Sequence, residues 1–169
     1  MVSDLYGAHE IDGQRVSKGT VINFFVDRVF ENEPLTVYQP GNQSRNYVHV
    51  DDVARAFVRS AERMAEQLDV GETGIEKYEI ASEEDPSVIL VAERVRKLAR
   101  EELGREVEIQ LVDNPRSGET LVEEFTVDTT RARDRLGWEP EHTVGESIRD
   151  LLRARAEDLP PQERVYQSP

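Results

Sequence analysis

Arg45 is the residue of this chain best suited to binding a ligand. It follows a loop of small and polar residues, Pro40 to Ser44, and precedes an apolar stretch. A guanidinium at the end of such a loop can project into a cleft and bind a phosphate through two parallel hydrogen bonds. A surface arginine paired with a carboxylate would show the same pattern. Arg45 is therefore a candidate anion-binding residue, but on sequence alone a surface ion pair is the favoured interpretation.

Two adjacent carboxylates, Asp51 and Asp52, follow Arg45 by a few residues. An aspartate at a helix start accepts hydrogen bonds from free backbone N–H groups and is stabilised by the positive end of the helix dipole. We therefore expect one of the two to be the N-cap of a helix. The predicted apolar stripe of this helix contains Phe57, Ala61, Met64 and Leu68.

A short strand before this helix must position Arg45. Tyr47 and His49 alternate with Val48 and Val50, which predicts that the two pairs lie on opposite faces of a strand. We expect the strand to run directly into the helix, and the rest of the chain to pack around this joint.

The residues needed for a metal site or a dinucleotide-binding turn are not found in this sequence. The chain has no cysteine, and its three histidines, His9, His49 and His142, are too widely spaced to suggest a zinc site. No glycine-rich turn of the kind that approaches a dinucleotide pyrophosphate is present. A metal site and a dinucleotide-binding turn are therefore not predicted.

The charge balance excludes two classes of partner. The net charge is −14, from 35 acidic and 21 basic residues, and the lysines are Lys18, Lys77 and Lys97 alone. Such a field repels nucleic acid and anionic membrane surfaces. It favours a halophilic protein over an ordinary acidic cytosolic one, because salt screens self-repulsion. No apolar run approaches the roughly 20 residues of a membrane span, and we expect a cytoplasmic protein.

The remaining pattern predicts one α/β domain over residues 1–157 and a flexible tail over 158–169. We expect a loop from His9 to Gly19, a buried helix from Thr20 to Asn32 and a short strand from Tyr78 to Ala81. We also predict a helix from Val88 to Leu103, capped by Ser87 and Gly104, and then a strand in which Val107, Ile109 and Leu111 face one side. A short helix is predicted to end at Leu136. A last helix is predicted to begin with a Thr143–Glu146 capping box.

Several motifs, in order, resemble the NAD-dependent epimerase/dehydratase family, the extended short-chain dehydrogenases/reductases that act on nucleotide sugars. The stretch from Leu35 through Arg45 to Ala54 resembles the family signature "pltvyGdGxqtRdfihVdDvA". The segments that resemble later family motifs are Tyr78 to Ala81, Asn114 to Glu119, Phe125 to Asp128 and Gly137 to Pro140. Trp138 in the last of these is expected to be a packing anchor.

This resemblance implies a set of substrate contacts. It implies that Arg45 and Arg116 converge on the diphosphate of a nucleotide sugar, with UDP- and dTDP-sugars as the expected class. Asp4 stands where the family carries an asparagine near the substrate, and Asn23 stands where it carries a proline in a helix beside the sugar nucleotide.

The family's catalysis also requires a Tyr-x-x-x-Lys pair and NAD or NADP, and the chain has no such pair. The resemblance therefore implies the C-terminal, substrate-binding part of the fold without most of the dinucleotide-binding domain. We expect the chain alone to bind neither cofactor and to be catalytically incomplete. The alternatives are a non-catalytic binding or assembly module with the same fold, and an unrelated acidic α/β domain. Homodimerisation is left open.

Overall fold

A computed structural model describes residues 4–12, 14–17, 19–115 and 126–159. These residues form strands and helices in the order β1 (Asp4–Tyr6), β2 (Ala8–Ile11), β3 (Gln14–Ser17), α1 (Val21–Glu31), β4 (Leu35–Tyr38), β5 (Tyr47–His49), α2 (Val50–Asp69), α3 (Val88–Leu103), β6 (Ile109–Val112), α4 (Thr130–Leu136) and α5 (Val144–Glu157). The predicted tail lies almost entirely outside the described residues.

Two pairs of parallel strands give the fold its α/β character. Strand β1 pairs with β5, so that Asp4 lies opposite Tyr47, and β4 pairs with β6. Parallel neighbours require crossover connections, which here contain helices. The antiparallel hairpin β2–β3 occupies the region that we predicted to be a loop, and that prediction is wrong. Asp12, at the hairpin turn, has a φ of +52°, a conformation that aspartate tolerates better than most residues.

The main core lies between helices α1, α3 and α5 and strand β4. Its fully buried side chains include Ile22, Phe25, Leu35, Val91 and Ile148. The predicted helices at these positions are confirmed. Ser87 accepts a hydrogen bond from the backbone N–H of Leu90 at the start of α3, Gly104 ends α3 with a left-handed backbone, and Thr143 caps α5 with Glu146 as its partner.

Helix α2 differs from its prediction in two ways. Its N-cap is His49, whose Nδ1 accepts a hydrogen bond from the backbone N–H of Asp51 at 3.2 Å, so neither aspartate is the cap. The predicted apolar stripe is also exposed, and Phe57 retains 69% of its accessible surface. The helix instead buries Asp52, Val53 and Ala56. The helical spacing therefore predicted which residues share an apolar face, but not that this face is exposed.

A second, smaller core lies beneath the N-terminal half of α2. Trp138 is buried there beside Val48 and Leu136, and its Nε1 donates to the backbone oxygen of Asp52 at 2.8 Å. The prediction that Trp138 is a packing anchor is confirmed. The predicted strand from Tyr78 to Ala81 is wrong, because only Ile80 forms a single-residue bridge. Across the described residues, no helix combines the length and apolar character needed to cross a bilayer.

Candidate functional site

The loop before Arg45 is held against the start of α3. The backbone N–H of Ile89 donates to the oxygen of Gly41 at 3.0 Å, and that of Val88 donates to the oxygen of Gln43 at 3.2 Å. Gly41 has a φ of +77°, and a Cβ there would lie 2.8 Å from Val37. This position therefore requires glycine. Arg45 thus follows a loop with fixed ends.

The Arg45 side chain reaches across the parallel strands to Asp4. The distance from Nη1 to Oδ2 is 3.4 Å, and the two side chains are 39% and 48% exposed. The structure therefore shows an ion pair of the kind that the sequence alone favours. An exposed ion pair contributes only about 0–1 kcal/mol, so a ligand anion can compete with the carboxylate for the guanidinium.

The Tyr47 hydroxyl lies within the electrostatic influence of this pair. Tyr47 is 1% exposed, and its oxygen has no hydrogen-bond partner in the part of the chain that the structure describes. Burial raises the pKa of Tyr47; the Asp4 carboxylate raises it further, and Arg45 partly opposes them. The hydroxyl is therefore a neutral, unpaired donor. Leaving a buried donor unpaired costs about 1–3 kcal/mol.

Asn46 connects the Arg45 region to the segment before α3, a role the sequence analysis did not identify. Its side-chain amide donates to the oxygen of Ser82 at 2.8 Å, and its Oδ1 accepts from the N–H of Ser82 at 3.0 Å. The amide nitrogen also lies 3.3 Å from the oxygen of Glu84. The sequence signal for this role was an asparagine directly after the candidate arginine. If such a side chain is buried, its amide needs several hydrogen-bond partners, and it can therefore connect two segments.

Asn23 lies at the opposite end of β1 and contacts backbone. Its amide donates to the oxygen of Gly7 at 2.8 Å, and its Oδ1 accepts from the N–H of Gly7 at 3.2 Å. The structure thus brings Asp4 and Arg45 together, whereas Asn23 binds the turn that follows β1. Arg116 lies outside the described residues.

A cluster of polar side chains surrounds the start of α2. Asp52 is fully buried and accepts from the backbone N–H groups of Glu141 and His142 at 3.1 and 3.2 Å, and from the Arg55 guanidinium. Burial acts to raise the pKa of Asp52, but these hydrogen bonds outweigh it and hold the pKa below its ordinary value. Asp52 therefore joins α2 to the segment before α5 as a buried carboxylate.

Two histidines stack beside this carboxylate. The rings of His49 and His142 lie 4.2 Å apart between centroids with 19° between their planes, and Asp51 lies within reach of both. Burial lowers the pKa of His49, and the nearby His142 lowers it further. An imidazole donates its lone pair in the plane of its ring, so two nearly parallel rings do not converge on one metal ion. The cluster is better suited to structure than to metal binding.

Comparison with known proteins places these residues in a family context. Residues 1–75 match the NAD dependent epimerase/dehydratase family. The chain is 29% identical over 150 residues to a putative UDP-glucose 4-epimerase of Methanocaldococcus jannaschii, a match that covers 89% of this chain and 42% of the relative. It is 27% identical to UDP-glucuronic acid decarboxylase 5 of Arabidopsis thaliana over 79% of this chain and 34% of the relative.

A solved structure extends the similarity to the fold. The UDP-glucose 4-epimerase of Thermotoga maritima, determined with UDP-glucose, superposes with a TM-score of 0.66 at 25% identity. The match covers 92% of this chain and 44% of the epimerase. The chain therefore spans less than half the length of these similar proteins.

Proposed function

This chain is a relative of the NAD-dependent epimerase/dehydratase family, and on that premise we propose that it binds a nucleoside diphosphate sugar through Arg45. The expected class is a UDP- or dTDP-sugar, and Arg116 is the second proposed diphosphate contact. One observation carries the proposal: the partly exposed Arg45 guanidinium, paired with the exposed Asp4 carboxylate, follows a loop whose ends are fixed to α3.

The chemistry of the guanidinium supports a diphosphate. It offers two parallel N–H groups to phosphate oxygens. Arg45 follows a loop whose ends are fixed to α3, so that less conformational freedom is lost on binding. Similar proteins named above are UDP-sugar enzymes, and one of them was determined with UDP-glucose.

Asp4 sets the affinity of this site in our proposal. Its carboxylate neutralises part of the Arg45 charge and repels a dianionic diphosphate at short range. The asparagine that the family carries at this position would hydrogen-bond without that repulsion. Asp4 is therefore a negative determinant of binding, and Asn23 supports the site indirectly by fixing the turn at Gly7.

The chemical step of the parent family requires groups outside this sequence. Within its 169 residues there is no glycine-rich dinucleotide turn and no tyrosine followed four residues later by lysine. We therefore propose that the chain orients the sugar nucleotide, that NAD or NADP serves the complete enzyme, and that the chain alone binds neither cofactor. Its cytoplasmic location and its adaptation to high salt also stay predictions, and homodimerisation stays open.

Calorimetric titration tests this function directly. The purified chain in molar potassium chloride is titrated with UDP, dTDP, UDP-glucose and NAD in turn. We expect UDP or dTDP to bind and NAD not to bind, and Arg45→Ala to weaken nucleotide binding about 10- to 100-fold. Arg59→Ala is the matched control, because Arg59 is an exposed arginine on α2 whose partner is Glu62.

Silence toward every nucleotide from a folded chain would overturn the proposal. The second candidate function, a non-catalytic binding or assembly module, would then be favoured. The observation that supports this module is Asp4, which stands in place of the family's asparagine. The Asp4 carboxylate pairs with the Arg45 guanidinium that a diphosphate would need.

A further inference from the structure

The stacked imidazoles of His49 and His142 differ in their freedom to move. The His49 side chain is 11% exposed, whereas that of His142 is 36% exposed. The Tyr6 ring packs edge-on against His49 with 5.3 Å between the ring centroids, and a Cβ at Gly7 would lie 2.6 Å from His49 Nε2. His49 is therefore enclosed on these sides, and a change in the stack must move His142.

His142 belongs to a short segment that is bound to the start of α2, and we call residues 139–142 the strap. The backbone N–H groups of Glu141 and His142 both donate to the Asp52 carboxylate. The backbone oxygen of Glu139 accepts from the Arg55 guanidinium at 2.9 Å. The strap leads directly into the N-cap of α5. The two stacked rings therefore lie where the strap contacts the joint between β5 and α2.

The two rings offer a proton different surroundings. His142 Nδ1 lies 3.1 Å from Asp52 Oδ1, so that a positive charge on His142 faces a buried carboxylate. His49 Nδ1 instead accepts the capping hydrogen bond from the N–H of Asp51, and a proton on that nitrogen would remove the acceptor. His142 is therefore the site of the first proton, and His49 is the site of the second.

A second proton would place two positive charges in stacked rings whose centroids are 4.2 Å apart. Like charges at this distance repel by an amount that corresponds to roughly one to three pH units. The charged and titratable groups around the pair are Tyr6 of β1, Asp51, Asp52 and Arg55 of α2, Glu141 of the strap and Asp150 of α5. The three aspartates favour a proton on His49, but Asp52 is already paired with Arg55. The intact stack therefore accommodates one proton more readily than two.

We infer that His49 and His142 form a pH switch, which holds the strap on α2 while the pair carries one proton and releases it when a second proton separates the rings. The second proton removes both the stack and the N-cap acceptor of α2. The main core between α1, α3 and α5 contains neither histidine, so the release is local. The switch does not depend on nucleotide binding at Arg45, which precedes the opposite end of β5.

NMR titration of the imidazoles in the purified chain tests the coupling. His9→Gln leaves the two stacked histidines as the only imidazole signals. We expect His142 to titrate above His49, and His142→Phe, which keeps a ring without a proton site, to raise the His49 midpoint by about one pH unit or more. His142→Gln should raise it similarly and replaces the phenylalanine variant if that one does not fold. His49→Asn should leave the His142 midpoint unchanged, because His142 takes its proton while His49 is neutral.

Amide hydrogen exchange tests the release of the strap. The N–H groups of Glu141 and His142 should lose protection about tenfold per pH unit between the ordinary histidine pKa of about 6.5 and the His49 midpoint. Those of Val91 and Val95 in α3 should stay protected. Equal His49 midpoints in the parent and in both His142 variants would overturn the coupling. Unchanged protection of the strap would overturn its release, and a simultaneous loss in α3 would replace the switch by general acid unfolding.

Discussion

The Arg45 guanidinium and the Asp4 carboxylate form an ion pair of 3.4 Å that joins β5 to β1 at the surface. A bound diphosphate must share or replace this carboxylate. Removing the negative charge with Asp4→Asn should therefore tighten UDP binding about two- to fivefold, which corresponds to an exposed ion pair of up to about 1 kcal/mol. Arg45→Ala should weaken it about 10- to 100-fold, as expected for charge-assisted hydrogen bonds. Calorimetry measures both.

Asp69→Asn controls for the general loss of one negative charge, because Asp69 is exposed at the far end of α2. Equal gains for Asp4→Asn and Asp69→Asn would mean that net charge, and not the Arg45 pair, governs affinity. A loss of affinity in Asp4→Asn would contradict the role of Asp4 as a competitor.

Asp52 should be among the most sensitive polar positions for stability. Its buried carboxylate accepts from two backbone N–H groups and from Arg55, so Asp52→Asn replaces an acceptor by a donor opposite buried groups, while Arg55 keeps its pairing with Glu141. We expect a loss of about 1–3 kcal/mol in the free energy of unfolding. Urea denaturation monitored by Trp138 fluorescence measures it, since the indole itself bonds to the Asp52 backbone.

Asp51→Asn provides the comparison for Asp52→Asn. Asp51 is adjacent in sequence and its side chain is 47% exposed, so its substitution should change stability by less than about 1 kcal/mol. Comparable losses in the two variants would contradict the view that burial and the two backbone hydrogen bonds distinguish Asp52.

Local signals in the sequence predicted α3 and its caps correctly, because Ser87 and Gly104 act on backbone groups within one turn. Trp138 was also predicted correctly as a packing residue. What the sequence missed depends on distant partners: Asp52 accepts from residues about 90 positions away, and Asn46 bonds to Ser82. Such contacts form only when the chain has folded, so the periodicity of apolar residues in the sequence does not predict them.

Helix α2 shows a related limit of sequence-based prediction, because its apolar pattern was recognised but its exposure was not. Its stripe has the spacing of a core-facing helix, and the pattern alone cannot tell whether the covering structure belongs to the same domain. The His49 cap was missed for a different reason, because aspartate is the commoner N-cap and two aspartates followed the histidine.

His49 should make stability depend on pH below neutrality. Burial, and then the neighbouring His142, lower the pKa of His49, although Asp51, Asp52 and Asp150 act in the opposite direction. The unfolded chain therefore takes up the proton first. The stabilisation is fully present above the ordinary histidine pKa of about 6.5 and is lost as the pH falls below it.

His49→Asn tests this dependence, because asparagine can still accept the capping hydrogen bond but does not titrate. We expect a flatter curve of unfolding free energy between about pH 7 and pH 5 in the variant. Thermal or urea unfolding across that range gives the curve. An unchanged slope would show that carboxylates, and not His49, determine it.

Tyr6 should affect the alkaline limit of stability. Burial raises its pKa from 10.0 to about 12, although the hydrogen bond between its hydroxyl and Ser147 at 3.2 Å opposes that rise. The unfolded chain therefore loses the proton first. The stabilisation is present below pH 10.0 and is lost between pH 10.0 and about 12. Tyr6→Phe should be about 1 kcal/mol less stable at pH 7 but lose less stability over that window.

Tyr38→Phe is the control for Tyr6→Phe, because Tyr38 is 43% exposed. Its alkaline profile should match that of the parent chain. Identical profiles for the parent and for Tyr6→Phe would mean that other groups, among them the buried Tyr47, control alkaline unfolding.

The exposed face of α2 predicts a contrast between two neighbouring apolar residues. Phe57 is 69% exposed and Val53 is 6% exposed, although both belong to the first half of the helix. Phe57→Ser should change the free energy of unfolding by less than about 0.5 kcal/mol, as is usual for surface substitutions. Val53→Ala should lower it by about 1–3 kcal/mol, because it removes buried methyl groups and leaves a cavity. Urea unfolding of the isolated chain compares them.

The same pair distinguishes a free face from one that packs in solution. A loss of stability in Phe57→Ser as large as that in Val53→Ala would mean that α2 buries its apolar face within this chain after all. The exposure of the α2 stripe would then be incorrect.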